Sequence, residues 1–280
     1  MIIPFQALAC PLDALPLHAT GTAWRCDSGH SFDIASQGYA HLLPVQKKRS
    51  RDPGDSKDMV AARRRFLQSG VYQPIADAVS QAVLADAPDT EVVSCLDAGC
   101  GEGYYLRQLA TALDPRLTLA AIGLDISKWA IVSAARQDKR MQWVVGSNAN
   151  LPVQSATLDQ VLCMFGFPVY AEFARALKPG GQLLQVDAGP DHLRELREII
   201  YPTLKPARPA SVDVPPGFIS PRSEALRYSL ELGTAEQIAD LLVMTPHLYR
   251  ASAEGRARAA ALTALSLTVD VRLTRLRRLP

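Results

Sequence analysis

From residue 91 onward, apolar runs alternate with helical segments, and this pattern constrains the fold of the chain more than any other feature. Buried-strand patterns are separated by segments with helical spacing, such as "YYLRQLATAL" and "KWAIVSAARQ". The strand patterns are "EVVSCLDAG", "LAAIGLDI", "QWVVGS", "LDQVLCMF" and "GQLLQVDAG". Strands joined by helices of about ten residues form βαβ units, and the resulting parallel sheet is buried on both faces. The pattern therefore predicts an α/β domain.

The C-terminal part continues this domain with a strand, a helix and a further strand. These are predicted over "EALRYSLELG", "TAEQIADLLVM" and "LTALSLTVDVRLTRL". The last segment alternates apolar and polar residues, which is typical of an edge or antiparallel strand. Between them and the sheet domain, "KPARPASVDVPPG" (205–217) is rich in proline, and we predict a flexible insertion there.

Length and cysteine usage limit the class of protein. A chain of 280 residues can form one large domain with a small appendage. No apolar run reaches the roughly 18 residues of a membrane span, and the N-terminus lacks the pattern of a secretory signal. Five cysteines are an odd number without framework spacing, which favours a reducing compartment over a disulfide scaffold. We therefore expect a cytoplasmic protein with no membrane partner.

A glycine-rich turn follows the first predicted strand, in "LDAGCGEGYY". Gly99, Gly101 and Gly103 let backbone approach a ligand closely because no Cβ intervenes. A dinucleotide-binding turn would carry its third glycine one position later. Asp97 and Glu102 add negative charge, which favours a cationic sulfonium ligand over a pyrophosphate. We predict that these five residues belong to a cofactor site.

A second acidic residue, Asp125 in "IGLDIS", stands at the C-terminal end of the second predicted strand. A carboxylate at that position can accept hydrogen bonds from both hydroxyls of a ribose. It follows Gly99 by 26 residues, near the spacing of roughly 20 that this role has in dinucleotide folds. Its alternative role is the N-cap of the helix that begins near Lys128, and the two roles are compatible.

Near the N-terminus, "CPLDALPLHATGTAWRCDSGH" has the form of a metal knuckle that lacks one cysteine. Cys10 is followed three positions later by Asp13, where a zinc ribbon would have a cysteine, and Cys26 is followed four positions later by His30. A carboxylate oxygen is also a zinc ligand. His18 is a second possibility for the fourth ligand.

A basic segment follows the knuckle, in "QKKRSRDPGDSKDMVAARRR" (46–65). "SKDMVAARRRFLQSG" predicts a helix with Ser56 as N-cap and Gly70 as its stop. The segment is either a solvated linker with a charged helix face or a binding site for a polyanion.

The motifs "LDAGCGEG", "GLDIS", "LPVQSATLD" and "LKPGG" occur in an order that resembles the S-adenosylmethionine-dependent methyltransferases of the seven-stranded class. The resemblance implies a class I (Rossmann-like) α/β sheet and S-adenosylmethionine as cofactor. We expect a zinc-ribbon-like domain over 1–37, a basic linker and helical segment over 38–85, and the methyltransferase domain over 86–280.

A closer resemblance lies in "HSFDIASQGYAHLLPVQKKRSRDPGDSKDMVAARRRFLQSGVYQP", which is similar to the N-terminal half of bacterial 23S rRNA (guanine-N1)-methyltransferases. That family joins a zinc ribbon to a methyltransferase domain and modifies a hairpin of 23S ribosomal RNA. The resemblance implies cofactor contacts at Tyr72, Gly101, Glu102 and His192. It also implies a homodimer.

The same resemblance aligns Cys10, Cys26 and His30 with three ligands of the family's zinc ribbon, and Asp13 with the fourth. The sequence alone does not decide whether the site, with an aspartate as one ligand, still binds zinc. Taken alone, Tyr72 fits a packing role and His192 fits a cap of the following helix.

Some positions depart from related methyltransferases. Ser147 stands where many have an aspartate that holds the adenine amino group, and its hydroxyl can also accept a hydrogen bond. Phe165 and Phe167 follow the fourth strand, where they either stack on the target base or belong to the core, and we expect one of them in the core. Asp187 and His192 are the candidates for a base that takes up the guanine N1 proton.

Two other functions share part of this pattern. A small-molecule methyltransferase acting on a metabolite or quinone would have the motifs between 96 and 181 without needing the knuckle or the basic segment. A non-catalytic RNA-binding protein could retain the cofactor fold. The function we predict is methylation of guanine N1 in 23S ribosomal RNA.

Overall fold

The structure is a computed structural model that describes residues 1–47, 50, 52–85, 91–204, 214–245 and 247–280. Lys48, Arg49 and Arg51 of the basic segment lie outside the described residues, as does most of the predicted insertion.

Twelve strands are found in the described part of the chain. They are β1 Ile2–Pro4, β2 His18–Thr20, β3 Ala23–Arg25, β4 Ser31–Asp33, β5 Tyr39–His41, β6 Val92–Ala98, β7 Thr118–Asp125, β8 Gln142–Val145, β9 Leu158–Met164, β10 Leu177–Ala188, β11 Phe218–Leu232 and β12 Leu265–Arg278.

Nine α-helices accompany these strands in the described ranges. They are α1 Lys57–Gln68, α2 Gln73–Ala85, α3 Tyr104–Ala112, α4 Lys128–Gln137, α5 Tyr170–Ala176, α6 Arg194–Ile200, α7 Ala235–Met244, α8 His247–Arg250 and α9 Ala253–Ala260. None of the described helices is both long and apolar enough to span a bilayer.

The large sheet has the order β11-β12-β10-β9-β6-β7-β8-β5. Strand β12 runs antiparallel to both of its neighbours, whereas β5 to β10 pair in parallel. The seven strands from β11 to β8 form the class I methyltransferase sheet, so the predicted fold class is confirmed. The connection after β6 leads to β7, whereas the connection after its other neighbour β9 leads to β10 in the opposite direction. Ligands of open α/β sheets bind at the carboxyl ends of the strands at such a switch point.

Two short N-terminal strands extend this sheet beyond the seven predicted. Strand β1 pairs in parallel with β7, with Ile2 opposite Leu119, and β5 pairs in parallel with β8, with Tyr39 opposite Trp143. Each strand has only three residues, too few for a periodic pattern, and its partner lies about a hundred residues away in sequence. The domain boundaries at 37 and 85 stay predictions.

The N-terminal ribbon of β2, β3 and β4 packs on one face of the large sheet. Residues before and within the ribbon share a single hydrophobic cluster with side chains of β6, β7 and β8. The cluster includes Phe5, Leu8, Leu17 and Trp24 from the N-terminal region and Leu96, Ile122 and Val144 from the sheet. Helix α5 covers only part of this face of the sheet, and the N-terminal region with its ribbon covers the rest.

Helix α1 begins and ends as the sequence predicts, and it lies against α7. Ser56 caps the helix by accepting a hydrogen bond from the Met59 N–H at 3.3 Å, and Gly70 follows its end with a φ of 82°. Arg65 donates from Nε to Asp240 on α7 at 2.9 Å. This contact holds α1 beside the carboxyl ends of the sheet strands, where the candidate site lies.

Candidate cofactor cavity and metal site

A cavity of about 470 Å³ opens at the carboxyl ends of β6, β7, β8 and β9. Side chains from α1 and α7 and the turn at Gly54 and Asp55 form its other wall. Six of the nine residues predicted to bind cofactor line it, namely Tyr72, Gly99, Gly101, Glu102, Asp125 and Ser147. The other three, Asp97, Gly103 and His192, lie outside its lining.

The glycine turn is left-handed at all three of its glycines. Gly99, Gly101 and Gly103 have φ values of 93°, 56° and 82°, a conformation that other residues adopt only with strain. A Cβ at Gly99 would meet open space, so this position needs glycine for its backbone angle. A Cβ at Gly103 would lie 2.5 Å from the ring of Trp143, so Gly103 also serves core packing.

Asp125 connects the glycine turn to the next strand. Its Oδ2 accepts a hydrogen bond from the Gly101 N–H at 2.9 Å, and its Oδ1 accepts one from the Ser127 N–H at 2.8 Å. Burial raises the pKa of this carboxyl above its usual range. Each oxygen keeps lone-pair capacity that a ribose hydroxyl can use. The side chain that caps α4 is Ser127, which accepts from the Ala130 N–H at 3.2 Å.

Asp97 lies beneath the turn, and neither of its carboxylate oxygens has a hydrogen-bond partner among the described residues. Burial, together with the nearby charge of Asp125, raises its pKa to about 7. An unpaired buried carboxylate is costly, and a bound cation would lower that cost. The unpaired oxygens of Asp97 therefore fit a cationic cofactor above the turn.

The carboxylate of Glu102 is already engaged by neighbouring side chains. Its Oε2 accepts hydrogen bonds from Arg107 at 2.7 Å and from Gln137 at 2.6 Å. Arg107 therefore offsets much of the negative charge that the sequence pattern placed at this turn.

The β8 end of the cavity carries two polar side chains. The Ser147 hydroxyl accepts a hydrogen bond from the Ala149 N–H at 3.2 Å. Asn148 also lines the cavity, and its buried Oδ1 has no partner in the described part of the chain. An amide oxygen accepts from an amino group, so Asn148 suits an adenine edge as well as Ser147 does. Sequence reasoning missed Asn148 because it considered only the position of the usual aspartate.

Tyr72, Phe165 and His192 form an aromatic cluster at the cavity wall. The rings of Phe165 and His192 lie 5.8 Å apart at an interplanar angle of 26°, and the Tyr72 hydroxyl lies 3.5 Å from His192 Nε2. His192 Nδ1 accepts a hydrogen bond from the Asp270 N–H at 3.3 Å, which assigns the ring proton to Nε2. Burial lowers the pKa of His192 to about 4, so the ring is neutral near pH 7. With both nitrogens engaged, His192 positions Tyr72.

Asp187, the other base candidate, lies at the end of β10 and does not line the cavity. It accepts a hydrogen bond from Gln185 at 2.7 Å, and burial raises its pKa.

Phe165 and Phe167 have different environments at the cavity mouth. Phe165 has a φ of 52° and stacks on His192, but it is 40% exposed, so the expectation that one of the two phenylalanines belongs to the core is wrong. Phe167 is 88% exposed although it lines the same cavity. A large apolar side chain exposed at the rim of a cavity is available to a planar ligand.

The four predicted zinc ligands converge in the N-terminal ribbon. One ligand atom from each of Cys10, Asp13, Cys26 and His30 lies within 4.8 Å of all the others. His30 Nδ1 is 3.5 Å from Cys10 Sγ, 3.4 Å from Cys26 Sγ and 3.0 Å from Asp13 Oδ2. Tetrahedral zinc bond lengths imply separations of about 3.4–3.6 Å between such atoms. The two distances to sulfur match this range, and the 3.0 Å distance from His30 to Asp13 would have to lengthen slightly around an ion. The residues therefore fit a zinc ion with Asp13 as fourth ligand. His18, on β2, is not part of this group.

Comparison with known proteins covers both parts of the chain. A family model described as "RlmA, N-terminal" matches residues 8–51, and one described as "Methyltransferase domain" matches residues 95–181. A Micromonospora griseorubida protein, provisionally named a 23S rRNA (guanine-N(1)-)-methyltransferase, is 35% identical over 96% of this chain and 97% of its own. The chain belongs to this methyltransferase family. S-adenosylmethionine is accordingly its cofactor.

Two further relatives match at least two thirds of the chain. A Bacillus subtilis protein, with the same provisional name, is 30% identical over 96% of each chain. A 23S rRNA (guanine(748)-N(1))-methyltransferase of Streptomyces fradiae is 37% identical over 68% of this chain and 66% of its own. The predicted family is confirmed, and the match includes the ribbon as well as the sheet domain.

Replacement of Asp125 tests the cofactor site. We expect Asp125→Ala to lower the affinity for S-adenosylmethionine at least about a hundredfold, because it removes the ribose acceptor and two charge-assisted bonds that shape the turn. Isothermal titration calorimetry measures the change. Asp114→Ala, which removes an exposed carboxylate paired with Arg116, is the control and should bind normally. Near-normal affinity of Asp125→Ala would refute the assignment.

Zinc content tests the metal site. Protein purified without chelator should contain close to one equivalent of zinc by elemental analysis. Asp13→Cys should hold the metal against a higher chelator concentration, because it supplies a softer thiolate in place of a carboxylate, and Asp13→Ala should lose it more readily. Asp27→Ala removes an exposed ribbon carboxylate outside the group and should match the wild type. Less than a tenth of an equivalent in the wild type would contradict zinc binding.

Proposed function

We propose that the chain transfers the methyl group of S-adenosylmethionine to N1 of a guanine in a hairpin of 23S ribosomal RNA. The observation that carries the proposal is the match to the Micromonospora griseorubida relative over nearly the full length of both chains, ribbon included. A metabolite or quinone methyltransferase would need the sheet domain alone, so the shared ribbon favours an RNA substrate.

Different residues of the cavity bind different parts of the cofactor. Asp125 accepts from the ribose, and Ser147 and Asn148 offer acceptors for the adenine edge. Tyr72, held by His192, closes the cavity from outside the sheet. When bound, S-adenosylmethionine supplies an electrophilic methyl group on a sulfonium. Most of the acceleration then comes from positioning the attacking atom in line with that group.

Phe167 is placed to position the target guanine. Its ring is exposed at the mouth of the cavity, where a base turned out of the hairpin can stack on it. Guanine N1 carries a proton near pH 7, and this proton leaves to water or to a base as the new N–C bond forms. The neutral His192 is not that base in our proposal, because its nitrogens serve Asp270 and Tyr72.

In this proposal, the ribbon and the basic segment form the surface of the protein that binds the RNA hairpin. Positive side chains next to the ribbon would neutralise phosphates on the hairpin. A ribosomal RNA substrate also implies a cytoplasmic reaction, and the homodimer stays a prediction from the family resemblance.

The test is methyl transfer from tritiated S-adenosylmethionine to 23S ribosomal RNA that lacks the modification. We expect label in the RNA and none in an extract of small metabolites.

Phe167→Ala should lower kcat/KM for RNA by about 5- to 150-fold, the range that corresponds to loss of one base–aromatic stacking contact. Phe167→Tyr keeps a stacking ring and should retain most activity.

Because Phe167 is exposed, Phe167→Ala should keep the cofactor affinity and unfolding free energy of the wild type. Label in the small-molecule extract alone would contradict the proposal. Equal transfer by wild type and Phe167→Ala would contradict the stacking role.

A further inference from the structure

Acidic side chains outnumber basic ones in the described lining of the cofactor cavity. Three carboxylate side chains line it, from Asp55, Glu102 and Asp125. Among the described lining residues, Arg63 is the one basic side chain. S-adenosylmethionine carries two cationic groups, a sulfonium and an ammonium, and one anionic group, a carboxylate. Glu102 is already paired with Arg107 and Asp55 with Arg63, which leaves Asp125 as the lining carboxylate without an ion pair among the described residues. For the anionic group of the cofactor, the described lining offers one cationic side chain, Arg63.

Arg63 is held rigidly on α1. Its Nη2 donates to Asp55 Oδ2 at 2.8 Å and to the Met244 carbonyl oxygen at 3.0 Å, and its Nε donates to the same Asp55 oxygen at 3.3 Å. These bonds fix the plane of the guanidinium between the turn at Asp55 and the end of α7. Nη1 has no hydrogen-bond partner in the part of the chain that the structure describes.

The side chain of Arg63 lies directly over the glycine turn. A Cβ built at Gly101 would lie 3.4 Å from Arg63 Cδ, so any side chain at this position would pack against Arg63. Glycine at position 101 thus leaves space between the turn and the guanidinium, as well as adopting its positive φ.

The polar groups of the cavity also set the direction in which the cofactor lies. Asp125 takes the ribose, and Ser147 and Asn148 lie beyond it at the β8 end, where the adenine goes. The amino-acid end must then extend the other way, over Gly101 and toward Arg63. A carboxylate in that space needs charged donors, because burying it without them is costly.

We propose that Arg63 binds the carboxylate of S-adenosylmethionine through Nη1 and so makes the cavity selective for the intact amino-acid end of the cofactor. Asp55 and the Met244 carbonyl act as positioning groups, because they hold the guanidinium plane. The inference rests on the cofactor assignment and not on the identity of the RNA.

The experiment compares two ligands that differ only in this carboxylate, S-adenosylmethionine and decarboxylated S-adenosylmethionine. Isothermal titration calorimetry without RNA gives the affinity of each for the wild type, Arg63→Met and the matched control Arg64→Met. Arg64 is the exposed neighbour of Arg63 on α1 and does not line the cavity.

We expect the wild type and Arg64→Met to bind the intact cofactor about ten- to a hundredfold more tightly than the decarboxylated form, the range of a charge-assisted hydrogen bond. Arg63→Met should lose this preference by binding S-adenosylmethionine more weakly, with the decarboxylated form within about twofold of wild type. Arg63→Lys keeps the positive charge but loses the planar guanidinium donors, and it should retain part of the preference for the intact cofactor.

Two results would overturn the proposal. Equal weakening of both ligands by Arg63→Met would show that Arg63 only supports the cavity wall, and an unchanged preference would show that the carboxylate binds elsewhere. If Arg63→Met binds neither ligand, Arg63→Lys decides the matter, and an equal loss for both ligands in that variant would contradict the proposal. Absence of RNA from the assay separates this outcome from any failure of the proposed RNA substrate.

Discussion

Burial of both faces of a mostly parallel sheet is the constraint on which the rest of this structure depends. Strands such as β6 and β7 are apolar on both sides and cannot face water. Helices cover one face, whereas the other is covered by α5 together with the N-terminal region. Trp24 of the ribbon is 3% exposed within the same cluster as Ile122 of the sheet. The ribbon is thus part of the core of the enzyme, and two of the four predicted zinc ligands, Cys10 and Cys26, belong to the cluster shared with the sheet.

The same N-terminal region builds the outer wall of the cofactor cavity. After β5 joins the sheet edge, the chain returns across the carboxyl ends of the strands, where Asp55 and Arg63 face the glycine turn. The Ser127 hydroxyl donates to the Asp55 carbonyl oxygen at 2.6 Å, which ties this segment to the start of α4. Cofactor binding and the placement of the ribbon therefore depend on one continuous stretch of chain. A methyltransferase domain alone would have neither Arg63 nor Tyr72.

The sequence predicted the regular elements well because their signals are local. Periodic apolar residues marked the strands and helices, and Ser56 and Gly70 marked the ends of α1. The glycine turn and Asp125 were also predictable, since a strand end followed by glycines has few other uses. Apart from Asn148, the features that were missed depend on contacts between distant parts of the chain. The roles of Arg63 and of the packing between Gly103 and Trp143 appear only when α1 or β8 is brought beside the turn.

In our proposal, the protein methylates the Watson–Crick edge of a guanine in 23S ribosomal RNA. Mass spectrometry of nucleosides from that RNA, digested after incubation with the protein and S-adenosylmethionine, tests the claim most directly. We expect N1-methylguanosine as the new modified nucleoside, at one equivalent per RNA. A methyl group on another atom or another base, or an RNA left unmodified by protein that binds S-adenosylmethionine, would contradict it.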